Sequence, residues 1–151
     1  MKKLIPYLLV GFLLVSAHPA QAQNSNRDQV YAAVEDYVNA LYLVQPDLIK
    51  KSVHPDLMKK GFWKGKDKPD YEFDGIMTYQ QLYDLAAKWN AKGWLAKDAV
   101  KKIEIYDVQD QTASAKLTAY WGTDYFQLAR FDGKWMIVNI LWQGPLQELK
   151  P

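Results

Sequence analysis

Histidine titrates nearer neutrality than any other side chain and so suits proton transfer. The chain has two, His18 in its N-terminal leader and His54 beyond it. His54 stands immediately before Pro55, placed either to act at the mouth of a cavity or to brace a chain end by bonding to Asp56 or the backbone. Asp124 is the second candidate for proton chemistry. It opens a run in which Asp124, Phe126, Leu128 and Arg130 share one strand face, and a carboxylate set among apolar walls suits a general base or acid. The alternative is a rim ion pair with Arg130 or a lysine. Tyr37, Tyr42, Tyr120 and Trp121 would wall a cavity with aromatic faces and hydroxyl handles, or simply fill a core. Asn139, among Trp135, Ile137 and Leu141, is a polar amide that needs a partner: a ligand, a neighbouring strand or a second subunit.

Other chemistries fail on residue type. One histidine beyond the leader and no cysteine leave no metal-ligand set, disulfide or thiolate. Asp70-x-Glu72-x-Asp74-Gly75 starts like a calcium loop, but Gln81 at the twelfth position cannot supply the bidentate carboxylate. Lys59, Lys60, Lys64, Lys66 and Lys68 are interleaved with glycine and aspartate without phosphate-loop spacing, and read as a solvated loop. No cofactor is expected.

The elements that position these residues follow from periodicity and turn chemistry. Met1-Lys2-Lys3, the apolar run Leu4–Val15 and Ala20-Gln21-Ala22 form a secretory signal peptide, residues 1–22. One domain, residues 23–151, is expected in a periplasm or outside the cell. Without Lys2 and Lys3 the 19 basic residues match the 17 acidic ones, so neither nucleic acid nor an anionic membrane is an expected partner. Ser25 or Asn26 caps a helix carrying Val30, Ala33, Val34, Tyr37, Val38, Leu41 and Val44 on one stripe. Pro46-Asp47 opens a second through Leu48, Ile49 and Val53, with one more turn over residues 56–60 after Pro55. Residues 62–75 read as an irregular strand or loop pair. Thr78 and Gln81 form a capping box for a third helix that ends at Gly93. Runs at 100–108, 112–121, 124–131 and 134–142 alternate as strands, the last two joined by Asp132-Gly133, a pair suited to a tight primed turn. The expected fold is α+β: a cone-like curved antiparallel sheet of four to six strands, covered on one face by three helices.

Val34-Glu-Asp-Tyr37, His54-Pro-Asp-Leu57, Met77-Thr78, Ala113-Ser-Ala-Lys116, Asp124-Tyr125 and the closing run Phe131–Trp142 carry a likeness. The chain resembles the nuclear transport factor 2-like superfamily, the fold of ketosteroid isomerases and polyketide cyclases, and within it the exported bacterial proteins called putative lumazine-binding. The resemblance implies a cone-shaped α+β barrel that often dimerises through its sheet. It leaves chemistry open, because the superfamily hosts enzymes, carriers and interaction modules. Gln127 stands where related sequences often have histidine, so no base is implied there. Three functions follow in order: an exported binder of a small aromatic or cyclic molecule, acting as a homodimer; a cofactor-free isomerase, dehydratase or cyclase with His54 or Asp124 as base and Tyr37 polarising a carbonyl; and an interaction module with a filled cavity.

Overall fold

The buried stripe Val30, Ala33, Val34, Tyr37, Val38, Ala40 and Leu41 lies along the first helix, α1 (Pro19–Tyr42), and presses onto a curved sheet. The computed structural model describes residues 19–66 and 68–145. The expected leader lies outside the described residues save for its last four, which begin α1 rather than preceding it. Proline is tolerated in the first turn of a helix, where its missing N–H costs nothing, so Pro19 starts the helix ahead of the Ser25 or Asn26 cap that was expected. The helix stops two residues short of Val44. That residue takes a left-handed backbone, φ 56°, while the Gln45 N–H bonds the Ala40 carbonyl at 2.9 Å, closing the end as glycine usually does.

α2 (Asp47–Ser52) is as short as Pro46 and Pro55 allow. The chain then departs from the helical reading: residues 53–63 form strand β1 (Val53–Trp63). Pro55 forces its predecessor toward extended backbone, and the segment finds hydrogen bonds along the final strand in parallel register, a pairing invisible to local sequence. β2 (Glu72–Met77) folds back antiparallel on β1. The Thr78–Gln81 capping box forms in both directions and starts α3 (Tyr79–Ala86), which ends well before Gly93, the residues between them being turns.

β3 (Lys101–Val108), β4 (Thr112–Ala119), β5 (Gly122–Phe131) and β6 (Lys134–Gln143) make the expected antiparallel meander. Asp132 and Gly133 take φ 48° and 82°, the pair of positive values a primed two-residue turn requires. The six strands form one open sheet in the order β2-β1-β6-β5-β4-β3. Its inner face, with Leu57, Ala115, Leu117, Phe126, Leu128, Ile137 and Ile140, joins the α1 stripe in a single core.

One irregularity re-aims β6. Ile137 lies opposite Leu128 and Asn139 opposite Gln127, so Val138 is an extra residue. Trp135 and Ile137 point inward before this bulge, and Ile140 after it. Asn139 is therefore on the outer face, not beside Trp135 and Ile137 as strict alternation predicts.

Candidate functional site

A chain of three buried polar groups crosses the interior. Asp124 on β5 and Tyr37 on α1 are 0% exposed and Lys59 on β1 is 5% exposed. Lys59 Nζ donates to the Tyr37 hydroxyl at 2.7 Å, and that hydroxyl donates to Asp124 Oδ2 at 2.9 Å. Trp121 Nε1 donates to the same oxygen at 3.1 Å, and Lys59 Nζ stands 4.0 Å from it. Oδ1, the other carboxylate oxygen, is buried without a partner.

Each member is aimed by its element. Tyr37 occupies the buried stripe of α1 one turn after Val34, its ring held edge-on by Phe126 (5.2 Å, 76°) and Trp121 (6.2 Å, 81°). Asp124 shares the inner row of β5 with Phe126 and Leu128. Lys59 shares the inner row of β1 with Leu57 and Gly61. Gly61 lets the strand pass under Trp142: a Cβ there would lie 2.0 Å from the Trp142 carbonyl oxygen and 2.4 Å from its ring. The ammonium thus stands among the rings of Tyr37, Trp142 and Trp121, at 5.4, 5.6 and 5.9 Å from their centroids.

Burial governs the titration of this group of side chains. Desolvation, reinforced by the Asp124 charge and its hydrogen bond, holds the Tyr37 phenol well above its ordinary range. Desolvation pushes the Lys59 ammonium down, opposed by the attraction of Asp124 and Asp74. The arrangement offers an unused acceptor, a cation and a hydroxyl relay in one enclosed cluster.

Around it lies an aromatic wall. The Tyr42 ring stacks on Trp89 (5.8 Å, 7°), and Trp121 stands edge-on to both Tyr42 and Trp89. The Tyr42 hydroxyl is fully engaged, donating to the Val100 carbonyl at 2.6 Å and accepting from the Tyr120 N–H at 2.9 Å. Tyr120 itself points out at the rim, against Trp94 (5.2 Å).

The structure thus gathers Tyr37, Tyr42, Trp121 and Asp124, leaves Tyr120 at the rim, and keeps His54 and Asn139 away. His54 lies near the far end of the sheet, stacked on Phe131 at 4.4 Å, its Nδ1 accepting the Asp56 N–H at 3.2 Å. Asp124 lies opposite Trp142, whereas Val53, next to His54, lies beside Ile137. The two rows are about 15 Å apart along β6, too far for a direct proton transfer. Asn139 bonds Gln127 at 3.2 Å on the outer face. Arg130 is six residues along β5 from Asp124, whose cationic neighbour is Lys59 instead. A cavity of about 360 Å³ opens away from the cluster, lined by Asp107, Thr112, Ser114, Gln127 and Val138 among others.

Lys59, expected in a solvated loop, is instead buried on β1, and Trp142 was not among the expected site residues. The available signal was Leu57-x-Lys59-x-Gly61, a two-residue period that places the lysine inside only once the segment is known to be a strand.

A family model described as "Putative lumazine-binding" matches residues 25–143, which include every member of the cluster. Among solved structures, an NTF2-like protein of unknown function from Methylobacillus flagellatus KT is 24% identical, with a TM-score of 0.60 over 81% of this chain and 94% of that one. One from Shewanella baltica OS155 is 16% identical, with a TM-score of 0.61 over 84% and 96%. An NTF2-like protein with a cystatin-like fold from Novosphingobium aromaticivorans is 10% identical, with a TM-score of 0.57 over 83% and 85%. At these identities the likeness is one of fold. No curated protein sequence matches the chain.

Proposed function

The chain belongs to the family described as "Putative lumazine-binding", and on that premise we propose that it is an exported small-molecule-binding protein whose ligand meets the Asp124–Tyr37–Lys59 cluster inside the cone. The observation that carries this reading is Asp124 Oδ1, a buried carboxylate oxygen with no hydrogen-bond partner. Leaving such a group unsatisfied costs about 1–3 kcal/mol or more, which a ligand N–H or O–H would recover. Trp121 and Trp142 suit a flat ring, and Lys59 suits an acceptor on the same edge. The family description names lumazine; the residues themselves ask only for a flat cyclic molecule with a donor for Asp124.

Native mass spectrometry of the protein exported from its own kind of host, followed by denaturing extraction, tests this reading. A bound small molecule on the wild type that is absent from Asp124→Asn supports it. A wild type that carries no ligand and binds none from a heterocycle library refutes it. N-terminal sequencing of the same material should begin at Gln23, and an intact N-terminus in the cell interior would refute export.

A second reading, interaction through the sheet, draws on the outer face. Tyr125 and Leu141 are cross-strand neighbours there and both are exposed, as is Met58 beside Asn139. Apolar groups clustered on a sheet face favour pairing with a second copy of the chain. Light scattering at micromolar concentration should return a dimer that Leu141→Lys dissociates; a monomer at every concentration would count against it.

A further inference from the structure

We propose that Lys59 is an amine nucleophile, capturing the carbonyl of an aldehyde or ketone ligand as an iminium with Tyr37 and Asp124 as its proton relay. This rests on the binding reading above and narrows its ligand class.

A buried lysine normally has one of two reasons to exist: a tight ion pair or covalent chemistry. The Lys59–Asp124 pair is not tight. Its charged atoms stand 4.0 Å apart, with the Tyr37 hydroxyl inserted between them at 2.7 and 2.9 Å. That insertion makes a proton wire, in which the ammonium passes a proton to the phenol oxygen and the phenol passes its own to the carboxylate. The product is a neutral amine, the form whose lone pair can attack a carbonyl carbon. Desolvation of the amine acts in the same direction. The partly exposed indoles of Trp121 and Trp142 flank the nitrogen, and the proposal requires them to move aside for a flat carbonyl compound.

The chemistry balances without a redox partner. The amine lone pair forms a C–N bond as the carbonyl π pair moves to oxygen, which takes back the proton held on Asp124 through Tyr37. Nitrogen then returns a proton along the same wire to Asp124. The carbinolamine hydroxyl takes that proton and leaves as water while the nitrogen lone pair closes the C=N bond. The ammonium and carbonyl have become an iminium and one water, and the iminium faces the Asp124 carboxylate as the ammonium did.

Reductive trapping reads this directly. The full-length mature protein is treated with benzaldehyde and cyanoborohydride near pH 7, digested, and mapped lysine by lysine. Lys59 should be benzylated roughly tenfold or more faster than the exposed lysines, which are held protonated at that pH. Tyr37→Phe should lower the Lys59 rate about tenfold while the exposed lysines keep theirs and far-ultraviolet dichroism stays native. Lys59 labelled no faster than exposed lysines overturns the proposal from the wild type alone, whatever the variant does. A Tyr37→Phe rate equal to wild type overturns the relay. If a molecule co-purifies but leaves Lys59 unmodified after reduction, the imine is refuted and the binding reading stands. If Lys59 traps the probe in protein that carries no co-purified molecule, the imine is supported without the natural ligand.

Discussion

The Tyr37 hydroxyl lies 2.9 Å from Asp124 Oδ2 across 87 residues of sequence, and it accepts a hydrogen bond from Lys59 Nζ on its other side. α1, β1 and β5 are tied together at this one oxygen, within a core made mainly of apolar side chains. A polar link of this kind stabilises only while all its members are present, because each was desolvated to form it.

Tyr37→Phe keeps the ring and its edge-on contacts but deletes the bridge. Two hydrogen bonds to charged groups disappear, and the expected loss is about 2–3 kcal/mol. Urea unfolding should show this as a lower midpoint at unchanged slope; an unchanged midpoint would mean that water replaces the hydroxyl.

Lys59→Met should cost about 3–5 kcal/mol at neutral pH, since it strands the Asp124 carboxylate without its cation. Adding Asp124→Asn should return part of that loss. A double-mutant cycle by chemical denaturation should give a coupling of about 1–3 kcal/mol, and strict additivity would show that the two charges do not interact.

The pH dependence has two opposed parts. Lys59 is depressed in the folded protein, so the unfolded chain binds its proton more readily; stability rises as pH climbs through the folded value toward the ordinary lysine value of 10.5. Tyr37 is raised, so its contribution is complete below the ordinary value of 10.0 and is lost as pH rises beyond it toward the folded value. Urea midpoints from pH 7 to 10 should therefore rise more steeply for wild type than for Lys59→Met. They should fall above pH 10 less steeply for Tyr37→Phe than for wild type.

Val44 holds φ 56°, a left-handed conformation costing a β-branched residue about 1–2 kcal/mol. Val44→Gly removes that strain while loosening the unfolded chain, for a net gain of about 0.5–1 kcal/mol. Thermal unfolding should show a higher midpoint, and a fall would mean that the partly buried valine side chain outweighs its backbone.

Gly61→Ala should lose about 3 kcal/mol or more, because the new methyl meets the Trp142 carbonyl oxygen at 2.0 Å and neither strand can yield without breaking the β1–β6 register. Tryptophan fluorescence should shift with it as the Trp142 indole moves; a native spectrum and stability would show that the strands separate easily.

Local chemistry determined the parts that could be read along the chain. Asp132-Gly133 specifies its turn because only certain residues accept positive φ, Thr78 and Gln81 satisfy each other's backbone within four residues, and Val30, Val34, Tyr37 and Leu41 recur with the helical period. Those signals carried the α+β class, the meander and the stripe on which Tyr37 lies, while alternation put Asp124 on the face of Phe126 and Leu128 without deciding between cavity and rim. Tertiary structure decided the rest. Residues 53–63 become a strand because β6 supplies hydrogen bonds from some 80 residues away, and only then does alternation carry Lys59 from an apparent surface run into the core. The Val138 bulge turns Asn139 outward, and the sheet's length separates His54 from Asp124. A carboxylate, a phenol and an amine were each visible in the sequence. Their meeting depends on contacts among three elements, which no window along the chain contains.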